Sequence, residues 1–280
     1  MNLIGKKSVL LFGGVAISSS VLGDITSLDD ATMASVTGQA GITVEINSAE
    51  LTIGEIRYQD KGSIAVRDIR VGGADRTNFF DNQWIPTSAK SDKLDNLKID
   101  IDILADGDFV AIMKPAGTHS VVDFGISTGE WLLQSSAGVD GTRLINSLDI
   151  TGLGIDARLR IDNQTSHTFI ESTWGVDDLD VDFGFLGVRV ANMKIAGSNY
   201  FETLGTWGAG SAGILDIGAE LDLEIYTAIA HGGHTALGLN LTKFEADVLI
   251  PEIYLGSQPS IGAISLNNVS VTAETVIYGH

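Results

Sequence analysis

The sequence predicts an all-β protein: an extended or curved antiparallel β domain, solenoid-like or sandwich in arrangement, preceded by a short N-terminal helix. Three observations carry that expectation. Apolar and polar residues alternate with period two in run after run, the signature of sheets with one wet face. Glycine is abundant, 33 of 280 residues, and with Asn and Asp it punctuates those runs as turn residues do. Long amphipathic helices are absent, which disfavours parallel α/β folds built on helical crossovers.

Residues 1–23 read as a secretory signal. Lys6 and Lys7 form a basic start, Val9 to Ile17 an apolar run of nine residues, and Gly23 a small residue suited to cleavage before Asp24. A membrane anchor is the competing reading, but the run is far short of the ~20 residues a spanning helix needs. Residues 24–41 read as a short helix and a Gly-rich lead-in. Ser27 and Asp30 are spaced as a capping box, and Gly38 suits the helix stop. Leu28, Met33 and Val36 give it a narrow apolar stripe, which serves a surface helix or an assembly element.

Residues 42–280 form the β-rich domain. Alternation is clear in Ile42–Ile46, Leu97–Ile103, Leu179–Phe183 and Leu221–Ile225. The polar stretch 75–93 reads as a long loop inside that domain, and Trp131–Gln134 as one helical turn. Three segments echo one another: Ile64–Val71, Val188–Ile195 and Ile264–Val271. Each has two apolar residues two apart, then Asp68, Asn192 or Asn268, then two more apolar residues. The step of three across that polar residue flips strand parity, so a bulge or corner there is needed to return both pairs to one face. Asp and Asn tolerate the left-handed backbone such a corner demands. The copies have no fixed period, so this is not a regular repeat array.

Formal charge is −19, from 36 acidic against 17 basic residues. That argues against nucleic-acid partners and against docking on an anionic membrane surface. With no Cys, disulfides, thiolate metal sites and cysteine nucleophiles are excluded. Asp178, Asp180 and Asp182 line one side of a strand ~7 Å apart, as do Glu220, Asp222 and Glu224. Such rows need water, cations or opposite charges, and Arg158, Arg160 and Arg189 are placed for cross-strand pairing. A solvated acidic surface is the plain reading. Calcium is the one cofactor weighed against it, with Asp106, Asp108, Asp178, Asp180 and Asp182 as candidate ligands. Asp106-Gly-Asp108 is an oxygen-rich turn, but no EF-hand loop exists.

Motifs of chemistry are weak. Gly125-Ile-Ser127-Thr-Gly129 has the letters of a nucleophile elbow, without room for the helix that must follow. Gly208-Ala-Gly210-Ser-Ala-Gly213 has the letters of a dinucleotide fingerprint but precedes a strand-like run. His231-Gly-Gly-His234 reads as a hairpin turn. No catalytic residue is expected, and the protein is not expected to be an enzyme.

Leu28-Asp-Asp-Ala-Thr-Met33-Ala-Ser-Val36-Thr-Gly38-Gln39-Ala-Gly41-Ile42-Thr-Val44 resembles the N-terminal signature of a poorly characterised family of exported Gram-negative proteins that includes FilA-type pilus-like proteins. The likeness spans residues 25–73. It implies a secreted β-rich component of the surface or of fimbriae, extracellular, periplasmic or on the outer membrane, and carries no catalytic residue. The expected role is structural or adhesive. The expected partners are further copies or other envelope and pilus proteins, with Gly38, Gln39, Gly41, Ile42, Val44 and Ile46 as candidate assembly residues on an unpaired strand edge. A β-groove for a hydrophobic ligand or glycan, and an outer-membrane barrel, are the alternatives.

Overall fold

The structure, a computed structural model, describes residues 41–80, 83–84, 90–202 and 217–279. The signal, the short helix and lead-in, Gly38, Gln39 and the Gly208–Gly213 motif lie outside the described residues.

The described chain runs back and forth through one large antiparallel sheet. Its first pass comprises β1 (Ile42–Ile46) and β2 (Leu51–Gln59), and its second β3 (Ser63–Gly72) and β6 (Leu97–Ile103). Between β3 and β6 the chain leaves the sheet and forms a small hairpin, β4 (Asn78–Phe79) with β5 (Gln83–Trp84). The third pass is β7 (Phe109–Pro115), β8 (Val122–Thr128) and β9 (Trp131–Gln134); the fourth is β10 (Asp140–Ile145) and β11 (Ser147–Ile161). The fifth is the single strand β12 (Thr168–Phe183), and the sixth is β13 (Val188–Ala196) continued by β14 (Ala219–Ile229). The seventh is β15 (Thr235–Ile250) and β16 (Glu252–Leu255), and the eighth β17 (Ile264–Ser270) and β18 (Ala273–Ile277).

Each pass pairs antiparallel with the next. All-β and antiparallel, as expected, the domain is a meander within one ladder, in place of a solenoid's coil or a sandwich's two facing sheets. The 15 residues of β11 and 16 of β12 and β15 reach ~50 Å. Trp131–Gln134 is strand, not a helical turn: β3 pairs with one side of it and β10 with the other.

The expected corners are present. Asp68, Asn192 and Asn268 all hold left-handed backbone, with φ of 51°, 56° and 54°. The Asn192 N–H donates to Asp180 on β12 at 2.7 Å, and the Asn268 N–H to Asp247 on β15 at 2.7 Å. The ladder slips by one residue beside both asparagines. A carboxylate on the neighbouring strand thus holds each of the two asparagine corners.

The core differs from expectation at 75–93. Phe79 and Phe80, inside that polar stretch, are fully buried with Val121, Leu153, Ala196, Tyr200 and Ile217. The Phe80 ring meets Tyr200 edge-on at 5.4 Å. Buried aspartates tie these covering segments to the sheet. Asp177 accepts the Phe80 N–H at 2.6 Å and pairs with Arg76 and with Lys194 at 2.9 Å. Asp123 accepts the Ala74 N–H, and Asp247 the Phe201 N–H. Gly175 makes room: a Cβ there would stand 2.6 Å from the Ile217 carbonyl oxygen and 2.9 Å from the Phe80 ring.

Candidate functional site

Register places side chains on faces, because directly paired antiparallel residues project to the same side. One row crosses all eight passes: Ile42, Ile101, Ala111, Leu159, Ile170, Leu223, Leu241 and Ala273. Two residues along lies a second row, Val44, Ile99, Met113, Ala157, Ser172, Leu221 and Phe244. Past the mid-strand corners the same face continues through Leu51, Val71, Ile126, Ile150, Leu179 and Met193. Leu159, Ile170 and Leu223 have paired strands on both sides yet stay only half-buried. This aliphatic face is therefore open to solvent. Around Leu97, Met113 and Phe124 it dips into an apolar depression of about 140 Å³.

The opposite face carries the charges and, at its centre, the buried core. Its intervening row reads Thr43, Asp100, Ile112, Arg158, Glu171, Asp222 and Lys243. Asp100 accepts from Thr43 Oγ1 at 2.7 Å and pairs with Lys114 at 2.8 Å and Lys98 at 3.2 Å. The Lys114 ammonium, with Thr43 and Lys98 in support, holds the Asp100 carboxyl down at about 2. Asp100 thereby clips the edge strand β1 to the sheet. Lys243 is shared by Glu220 and Glu245, and Arg158 stands 3.6 Å from Glu171.

The first and last passes are the sheet's two edges. Among the described residues no ladder joins one to the other. Of the candidate assembly residues, Ile42, Val44 and Ile46 lie on the first edge, paired on one side only, to Ile101, Ile99 and Leu97. Ile42 is 65% exposed and Val44 39%. Gly41 leads into β1 so close to β6 that a Cβ would stand 2.4 Å from the Ile101 carbonyl oxygen. The second edge, not singled out from sequence, exposes Ile264, Leu266, Val271 and Ile277. Its signal was present in the alternation of 264–277, but order in the sheet is not written in a strand's own pattern.

The candidate calcium ligands are not brought together. Asp106 and Asp108 sit at the β6–β7 turn, beside the end of β11 that pairs through Ile161, whereas Asp182 pairs with Ser147 at its other end. Asp108 accepts from Arg160 at 2.9 Å and from the Asn163 N–H at 2.9 Å. Asp180 holds the Asn192 corner, and Asp182 accepts from Asn146 at 3.0 Å. Asp178 lies opposite Thr151, and burial, then the nearby Asp180 charge, pushes its pKa up. Among the described residues no group of three or more His, Asp or Glu is arranged to hold a metal ion. Of the three arginines, Arg160 and Arg158 meet acidic partners, while Arg189 lies over the Tyr254 ring at 4.4 Å. Ser127 is inside β8, between Arg70 and Asp149 in register, so it sits on no strand-to-helix elbow. His231 and His234 flank a hairpin turn with Gly232 and Gly233 at positive φ.

A family model described as a family of unknown function (DUF6160) matches residues 1–105, just over a third of the chain, through the first two passes. No curated protein and no solved structure matches the chain.

Proposed function

We infer that this chain is an exported structural subunit of the cell surface, pilus-like or fimbria-associated, which assembles by adding strands to its sheet edges. The observation that carries this reading is the state of those edges. Natural proteins blunt exposed edges with Lys, Pro or cover. Here neither 42–59 nor 264–277 contains Lys or Pro; 264–277 has one charge, Glu274, and the β1 part of the first edge, Ile42–Ile46, has one, Glu45, with Glu50, Glu55 and Arg57 further along. The number of passes is even, so the first and last run in opposite directions. The last pass of one copy and the first of the next therefore meet antiparallel, with their aliphatic sides in common. Such a head-to-tail contact is heterologous, and repeated without closing it makes a fibre. The resemblance of residues 25–73 to exported pilus-like proteins supports that role.

The test is a proline scan of each edge at two neighbouring positions, Thr43 and Val44, then Leu266 and Asn267. One of each neighbouring pair of N–H groups points outward, so one proline in each pair removes a donor needed by the incoming strand. Negative-stain electron microscopy of surface material should show fibres in the parent chain and their loss in one variant of each pair. Fibres persisting in all four variants would sink the reading.

A groove for a hydrophobic ligand is the second reading, favoured by the open aliphatic face. The barrel alternative has less support: among the described residues the two end passes do not pair with each other, and strands of 15 and 16 residues exceed the 9–11 a bilayer requires.

A further inference from the structure

We propose that the aliphatic face of the sheet is the contact between two copies of this chain, packed face to face as a two-layer sandwich. The proposal rests on the face, not on the edges, and stands apart from fibre formation. Three rows without a single charge cross the sheet, and their interior members Leu159, Ile170 and Leu223 are only partly buried although strands flank them on both sides. Strands ~50 Å long, laid ~4.8 Å apart over eight passes, give a face on the order of 1,500 Å². Monomeric soluble proteins expose apolar patches of roughly 300–600 Å², and a standard interface buries ≈ 800 Å² per partner. A face of this size meets what a stable pair needs and exceeds what a lone soluble chain tolerates.

Charge selects the occupant. The chain carries a formal −19, so approach of a second copy is repelled wherever carboxylates face each other. Glu171, Asp222 and Glu224 alternate with Ile170, Leu221, Leu223 and Ile225 and so lie on the far side. Pairing through the aliphatic side turns the acidic sides outward and keeps them a full two layers apart. Sheets pack ≈ 10 Å apart by interdigitating such side chains, and an identical sheet presents the same row spacing. The symmetric contact is isologous and closed, so it yields a pair and no more.

The test is sedimentation equilibrium of the full chain, with Ser172→Arg as the decisive variant. Ser172 is the polar member of a central aliphatic row, between Ala157 and Leu221, so the substitution removes no apolar contact and sets a charge inside the pair. With an edge proline that blocks strand addition, the chain should sediment at twice the chain mass, and the same chain carrying Ser172→Arg at the chain mass, with unchanged far-ultraviolet circular dichroism. A second variant, Leu223→Lys, should do the same should Ser172→Arg fail to fold. Edge-proline variants should remain paired, which separates this result from failure of the fibre reading. A monomeric parent chain, or equal pairing in a folded Ser172→Arg or Leu223→Lys variant, overturns the proposal. Flotation of a monomeric parent chain with phosphatidylcholine vesicles, lost in Ser172→Arg, overturns it in favour of a lipid ligand.

Discussion

The two sides of this sheet are treated in opposite ways. On one, segments 73–80 and 196–201 fold back over the strands, seal Phe79, Phe80, Leu153 and Tyr200 from water, and are tied down by buried aspartates. On the other, aliphatic rows run across the sheet and stay only partly buried. Fold stability is thus concentrated in a central belt on one side, while the other side and the two edges stay open. Where sequence alternation alone is considered, the sides are mirror cases. What separates them is the described excursions 73–80 and 196–201, whose buried aromatics cover one side.

The sharpest break of that contrast is Asp177→Ala. It leaves Arg76 and Lys194 without their shared buried carboxylate and the Phe80 N–H without an acceptor. Losing one partner of a buried pair costs about 3–5 kcal/mol, read as a lower urea midpoint. Next comes a matched pair of truncations. Leu153→Ala, at full burial, should cost about 2–5 kcal/mol. Leu223→Ala, measured in the charge-bearing Ser172→Arg background to hold the chain single, should cost less, about 1–2 kcal/mol, since part of its area is already wet. Equal costs would mean the aliphatic side is covered in the lone chain.

The smallest effect belongs to Asp100. Its folded pKa, about 2, lies below the ordinary 3.8. A depressed carboxyl stabilises the folded state above the ordinary value and loses that contribution as pH falls from 3.8 toward 2. Asp149 and Asp178 have raised values, from burial first and then Asp180, so their contributions run the other way and fade as pH rises through those values. Amide exchange of Ile42–Ile46 should therefore quicken below pH 3.8 in the parent chain. In Asp100→Asn it should be quicker at neutral pH and lose that acid response.

Much of the sheet was legible because period two survives at Ile42–Ile46, Leu97–Ile103 and Leu221–Ile225. The corners at Asp68, Asn192 and Asn268 were legible because a step of three has one structural remedy. Trp131–Gln134 misled, since Trp-Leu-Leu-Gln shows no alternation; Leu132 is buried and Leu133 exposed only because β3 and β10 flank them. Phe79 and Phe80 were hidden in polar company, where an isolated aromatic pair has no periodicity to report it. The candidate calcium ligands failed because strand spacing says nothing about distance along the sheet. Candidate assembly residues on β1 were found from local pattern, whereas the other edge needed the ladder order.

The interrupted passes have one more consequence. Ala196 and Ala219 leave and rejoin the sheet beside nearly adjacent rungs of β12, Val176 and Trp174. The ladder closes behind whatever is spliced between them, as a seam closes around a pocket. The described ends of that excursion can therefore commit Tyr200 and Ile217 to the core without costing the sheet a pass, so covering and continuity are won from the same stretch of chain.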